Sequence, residues 1–321
     1  MSVNHVPVLS NEIINYLNLK NDGIFVDATV GLGGHSQNIL KHFDCIKRLI
    51  GIDLDQSALA LAENQLYEYK EKINLVQGNF KNLTNILKNL GVNSVDGVLM
   101  DLGVSSLQLD TPHRGFSFQK SGDLDMRMDT ENGISAADII NDSSPEELIS
   151  IFEEFGEERY SKRIVREIIS TRKLERVTST LQLARIVENA YPKKSNPRNR
   201  NNSRKIHPAT RVFQALRITV NKELENLKKG LDDAVSLLNP DGFLCIISFH
   251  SLEDRIVKRR FQGLSKSCIC PPKIPICICN HKKVLNILTK RPVIPCVEEI
   301  ENNPRARSAK LRVATKVGLC L

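Results

Sequence analysis

The stretch Phe25-Val-Asp-Ala-Thr-Val-Gly-Leu-Gly-Gly-His35, running on through Ser36-Gln-Asn-Ile-Leu40, decides how this chain is read. It begins as a short apolar strand, turns on Gly31, Gly33 and Gly34, and enters a helix at His35. Glycine lets the backbone turn tightly and lets a ligand approach without a Cβ in the way. The helix start points unpaired N–H groups at the same spot. A phosphate-binding loop would end in Gly-Lys-Ser/Thr, and no lysine is present here. A dinucleotide fingerprint would want glycine where Ser36 stands. With Asp27 and His35 the loop suits a cofactor with a cationic, phosphate-free end, such as the sulfonium of S-adenosylmethionine. Taken alone, such turns serve many ligands, and some serve none.

Working outward, residues 5–20 give a lead-in helix. Strands are expected over 23–28, 48–53, 73–77 and 95–101, separated by helical stretches of about a dozen residues, the pattern of βαβ units and a parallel sheet. Ligands bind such sheets outside the carboxyl ends of the strands, where the strand order reverses. Gly31–His35, Asp53, Phe80 and Asp101 all fall at carboxyl ends. Asp53 is placed to accept ribose hydroxyls, with Asp55 free to cap the next helix. Phe80 is placed against an adenine face or in the core, and Asn79 against the adenine edge.

From about 109 to 205 the strand pattern stops. An acidic loop over 123–129 leads to helical patterns at 135–140, 146–155, 157–171 and 179–190, with Ser144-Pro145 a good helix start. Arg159, Arg163 and Arg166 share one face of the third. These helices read as an inserted all-helical substrate-recognition domain, dividing the chain into 1–108, 109–205 and 206–321. Between Pro192 and Arg211 lie seven basic residues and no acidic one (Lys193, Lys194, Arg198, Arg200, Arg204, Lys205 and Arg211). With a net charge of +8, that concentration favours a polyanionic partner such as RNA.

The sheet domain resumes at 206 with a long helix to 238, broken near Gly230. A turn at 239–242 follows, then a buried strand over 243–249. His250 stands at that strand's carboxyl end, with Ser251 as cap of the next helix and Asp254 three residues on. A last strand is expected over 311–317. Residues 268–281 hold four cysteines and a histidine in a C-x-C pair on either side of prolines. Zinc sites are usually shaped by C-x-x-C, so the reading is a reduced, metal-free loop. No run of 18 apolar residues exists and the first residues lack a signal-peptide pattern, so a cytoplasmic protein without a membrane partner is expected.

Five motifs together are specific. Asp27-x-Thr-x-Gly-x-Gly-Gly-His35, Asp101-Leu-Gly-Val-Ser-Ser-x-Gln-Leu-Asp110, Leu124-Asp-Met-Arg-Met-Asp129, Ser248-Phe-His-Ser-Leu-Glu-Asp-Arg255 and Asn303-Pro-Arg-Ala-Arg-Ser308 resemble the bacterial 16S ribosomal RNA (cytosine-N4)-methyltransferase family, also called MraW or RsmH. The resemblance spans nearly the whole chain. It implies an α/β, Rossmann-like methyltransferase with an inserted helical domain. It also implies S-adenosylmethionine as cofactor, and methylation of the N4 amine of a cytidine in the decoding region of 16S ribosomal RNA in the small subunit. The family's cofactor positions fall on Gly33, Gly34, His35, Asp53, Phe80, Asp101 and Gln108. Asp101 and His250 are the catalytic candidates, Asp101 as acceptor of the N4 hydrogens. The rival readings are a DNA or transfer-RNA amino-methyltransferase, and a non-catalytic RNA-binding assembly factor on the same fold. Oligomeric state stays open, a homodimer included.

Overall fold

The computed structural model describes residues 7–17, 22–192, 207–271 and 277–318. The basic segment Lys193–Lys205 singled out above lies outside these residues. In chain order the elements begin α1 (Ser10–Tyr16), β1 (Gly23–Asp27), α2 (Gly34–His42), β2 (Ile46–Asp53), α3 (Gln56–Gln65), β3 (Ile73–Gln77), α4 (Leu83–Asn89) and β4 (Val95–Asp101). Six helices follow: α5 (Ser106–Asp110), α6 (Ala136–Asp142), α7 (Pro145–Glu154), α8 (Ser161–Arg172), α9 (Thr180–Ala190) and α10 (Ala209–Asn221). The chain then runs through α11 (Glu223–Leu237), β5 (Leu238–Ser248), α12 (Ser251–Leu264), β6 (Leu285–Ile287), α13 (Val297–Asn302) and β7 (Lys310–Lys316).

Two compact units result, residues 1–103 with 224–321, and Val104–Glu223. The first holds a seven-stranded sheet in the order β3-β2-β1-β4-β5-β7-β6. Strands β1 to β5 pair in parallel, and β7 lies antiparallel between β5 and β6. Side chains alternate across a strand, so neighbours feed opposite layers. Val26, Ile50, Val98 and Ile246 pack with Leu83, Leu87, Leu227, Leu231 and Phe261 from α4, α11 and α12. Phe25, Leu49, Leu99 and Ile247 pack with Ile13, Ile39, Leu40 and Leu59 from α1, α2 and α3. Burial on both faces explains the near-continuous apolar strands.

The second unit has its own core, built on Phe152, Ile164, Ile168, Leu183, Val187, Val212 and Leu216. Its helices start on local signals. Ser135 with Asp138 and Ser144 with Glu147 form reciprocal capping boxes, and Pro145 occupies the first turn of α7. Helix α10 belongs to this core, although the sequence placed it with the sheet domain after residue 205. Its apolar stripe, Val212, Phe213, Ala215 and Leu216, faces helices rather than strands. Helix α8 begins at Ser161, so Arg159 precedes it; Arg159, Arg163 and Arg166 are all exposed.

The long helix expected up to 238 breaks at Lys222, not at Gly230. Lys222 caps α10 in the left-handed region (φ 51°). Gly230 sits inside α11 because the ring of Phe80 lies against its Cα, where any Cβ would collide. The turn read at 239–242 is absorbed into β5: the register with β4 slips between Leu238 and Phe243, and Asp241 takes a left-handed φ of 64°.

Candidate active site

The strand order reverses between β1 and β4, and the carboxyl ends of β2, β1, β4 and β5 stand side by side there. These ends carry Asp53, Asp27, Asp101 and Ser248. Asp101 pairs in register with Ile247. Its N–H donates to Thr29 Oγ1 at 2.7 Å, which ties the tips of β1 and β4 together. Thr29 N–H and Ser36 O–H in turn donate to Asp27, at 3.3 and 2.7 Å. Asp27 is buried, and its desolvation raises its pKa; the neighbouring His35 acts in the opposite sense.

Gly33 caps α2 with φ 87°, a conformation a β-carbon resists, and a Cβ there would stand 2.9 Å from Leu66 Cδ1. Gly34 rests on the Pro7 ring. Gly31 alone of the three opens outward, with no atom nearer to a built Cβ than Thr29 O at 3.9 Å. The Gly31 N–H is held by Asp53 Oδ2 at 2.8 Å, and Asp53 Oδ1 accepts from Asp55 N at 2.9 Å. Asp55 caps α3 through Ser57 N, as expected, and this leaves Asp53 to the turn. Desolvation pushes the Asp53 pKa up to about 6.

Among the described residues, several buried polar atoms at these strand ends have no hydrogen-bond partner: both ring nitrogens of His35 and Asp101 Oδ1. Such groups are costly to bury unless something else satisfies them. His35 Nε2 stands 3.5 Å from Asp101 Oδ2. The donor set is what a polar, nucleoside-bearing ligand needs: carboxylates for ribose and amine hydrogens, an open glycine turn, and unpaired acceptors and donors. The residues therefore fit S-adenosylmethionine; Asp53 and the Gly31–Gly34 turn are the groups that would hold it.

His250 is the N-cap of α12, one residue earlier than expected. Glu253 N–H points at His250 Nδ1 at 3.5 Å, while Glu253 Oε2 accepts from the N–H groups of Phe249 (2.9 Å) and His250 (3.3 Å). With Nδ1 an acceptor, a neutral ring carries its proton on Nε2, which lies 3.2 Å from Glu253 Oε1. Asp254, assigned to the cap by spacing, instead pairs with Arg312 at 2.6 Å. Phe80 packs into the core between strands and α11, and Asn79 Oδ1 caps the following turn through Lys81 N. Gln108 lies in the helical unit, where it closes the capping box of α5 with Ser105. Sequence reasoning missed Thr29, Ser36 and Glu253. Only Glu253 left a signal, the N-cap to N3 spacing from His250.

A parallel sheet reversing between β1 and β4, with a glycine turn after β1 and an acidic residue ending β2, is the Rossmann-like architecture of S-adenosylmethionine-dependent methyltransferases. Residues 2–317 match the MraW methylase family. A relative from Carboxydothermus hydrogenoformans, named ribosomal RNA small subunit methyltransferase H, is 50% identical over 317 residues, 99% of each chain. A relative of the same name from Finegoldia magna is 48% identical over 317 residues, covering 99% of this chain and 100% of that one. The chain belongs to the MraW methylase family. Among solved structures, a putative rRNA methylase from Clostridium thermocellum covers 98% of this chain and 100% of its own, at a TM-score of 0.44 and 10% identity, a likeness too loose to bear on the site.

Proposed function

We propose that this protein methylates the N4 amine of a cytidine in the decoding region of 16S ribosomal RNA, acting in the cytoplasm. The observation that supports this most is the pairing of buried His35 with half-buried Asp101 at the switch point, with polar atoms that no described residue satisfies. The relatives' shared name supplies small-subunit ribosomal RNA as the substrate class. Bound S-adenosylmethionine supplies an electrophilic methyl group. The cytosine N4 lone pair is delocalised into its ring, so the protein's task is to align it and free it. Asp101 Oδ1 accepts an N4 hydrogen, favours a pyramidal nitrogen, and takes the proton as the new N–C bond forms and the S–C bond breaks. His35, 3.5 Å from the other Asp101 oxygen, is the next stop for that proton. His250, held by the α12 cap, presents Nε2 at the neighbouring strand end. The target base must leave its stack to reach these groups.

The test is mass mapping of modified nucleosides in small-subunit RNA from cells lacking the protein. Loss of one methyl from a decoding-region cytidine is expected, restored by the wild-type chain and not by Asp101→Asn. An unchanged cytidine would refute the substrate. Full restoration by Asp101→Asn would refute the residue.

A further inference from the structure

Between α12 and β6 the chain makes an excursion, described over residues 265–271 and 277–283. None of its described residues is buried, and the two isoleucines inside the C-x-C pairs, Ile269 and Ile278, are exposed. Its base is closed by Val284 N–H donating to Leu264 O at 2.8 Å. At its tip the Sγ atoms of Cys268, Cys270, Cys277 and Cys279 all lie within 4.8 Å of one another.

The separations carry the argument. Cys268–Cys277 and Cys277–Cys279 are 3.5 Å apart, Cys268–Cys279 3.8 Å and Cys270–Cys277 3.9 Å. A disulfide would bring one pair to about 2.05 Å. A tetrahedron of sulfurs about 2.3 Å from a central ion has edges of about 3.8 Å. The four thiols thus already outline the coordination shell of a tetrahedral, sulfur-seeking cation. Backbone N–H groups of Ile269 and Cys270 point at Cys279 and Cys268 sulfurs at 3.5 and 3.4 Å, the outer-shell bonds that orient thiolate ligands. His281 is engaged elsewhere, its Nε2 3.2 Å from Gly263 O. The C-x-C spacing argues against metal only when each pair is taken alone. The fold brings the two pairs face to face, so the shell closes between them.

We propose that Cys268, Cys270, Cys277 and Cys279 bind one zinc ion as a tetrathiolate, and that the ion ties the two described arms of the excursion, 265–271 and 277–283, to each other. Soft thiolates select zinc among abundant divalent ions. Binding displaces the thiol protons to solvent and leaves a net −2 centre, beside which Lys266, Lys282 and Lys283 stand in the chain.

Metal analysis of the full-length protein, purified under reducing conditions, tests this. One zinc per chain is expected, and near zero in a Cys268→Ser/Cys279→Ser variant whose circular dichroism is otherwise native. Cobalt added to the stripped wild-type protein should give the sulfur-to-metal charge transfer and tetrahedral ligand-field bands of a four-thiolate site. Chelation should speed proteolysis within 265–283 and nowhere in the strands. A fully reduced wild-type chain that takes up neither zinc nor cobalt overturns the proposal. So does stoichiometric iron in place of zinc, or a disulfide among these four cysteines in protein from reducing cells.

Discussion

Asp53 Oδ2 holds the Gly31 N–H at 2.8 Å, joining the end of β2 to the glycine turn after β1. One carboxylate therefore shapes the turn and stays beside it as an acceptor. The ribose role we propose for it predicts that Asp53→Ala weakens S-adenosylmethionine binding roughly 10–100-fold, since hydrogen bonds to a charged group contribute about 1.5–3 kcal/mol. Calorimetric titration checks this, and equal affinity would remove Asp53 from the cofactor site.

The same carboxylate gives a pH signature. Its pKa is raised from 3.8 to about 6 in the folded chain. Between those values the folded state binds more protons than the unfolded one, so this group's contribution to stability falls as pH rises through the window. Asparagine has no such slope. The melting temperature of Asp53→Asn relative to wild type should therefore shift in the variant's favour between pH 4 and pH 7. Wild-type cofactor affinity should drop as pH falls below about 6. A constant difference in melting temperature would contradict the raised pKa.

Two helical glycines make a matched pair. Gly230→Ala would drive a methyl into Phe80 and should cost about 1–3 kcal/mol. Gly263, in α12, has nothing within 4 Å of a built Cβ, so Gly263→Ala should stabilise by about 0.5–1 kcal/mol. Denaturant titrations of both variants decide it. Equal effects would mean that Phe80 does not need Gly230.

Phe152 is fully buried at the centre of the helical unit. Phe152→Ala should cost about 3–5 kcal/mol and lower hydrogen-exchange protection across α7 to α10. A loss below 1 kcal/mol would show that this unit's core lies elsewhere.

Arg312 is buried and pairs with Asp254 at 2.6 Å, with Lys310 3.6 Å from the same carboxylate. Burial acts to raise the Asp254 pKa, but the hydrogen bonds and charges of Arg312 and Lys310 outweigh it and hold it below its ordinary value, so the stability they give is present above pH 3.8 and fades as pH falls further. Arg312→Ala should cost about 1–3 kcal/mol at pH 7, because the partly buried Asp254 carboxylate loses its charge-assisted hydrogen bond and keeps only Lys310. The penalty should shrink on acidification; one independent of pH would point to lost packing instead.

Much of this was legible beforehand because its causes are local or periodic. Apolar runs bounded by turns gave β3 and β4 to the residue, and Ser144-Pro145 gave the start of α7. Residues whose role depends on a distant neighbour were not legible. Gly230 reads as a break until Phe80 is seen against it. Asp254 reads as a cap until Arg312 arrives from a strand 58 residues on. Thr29 gains its meaning only because β1 and β4 are adjacent in the sheet. The cysteines show the same limit: sequence shows spacing within a pair, and the fold sets the distance between pairs.

The placement of β7 bears on how the chain is made. Strand β5 ends at Ser248, and its antiparallel partner begins at Lys310. During translation β5 must therefore wait with one apolar flank unpaired while some sixty further residues are polymerised. An open flank of that kind invites pairing with other nascent chains. A stop codon placed before residue 310 would make that exposure permanent, and the truncated product should be found in the insoluble fraction.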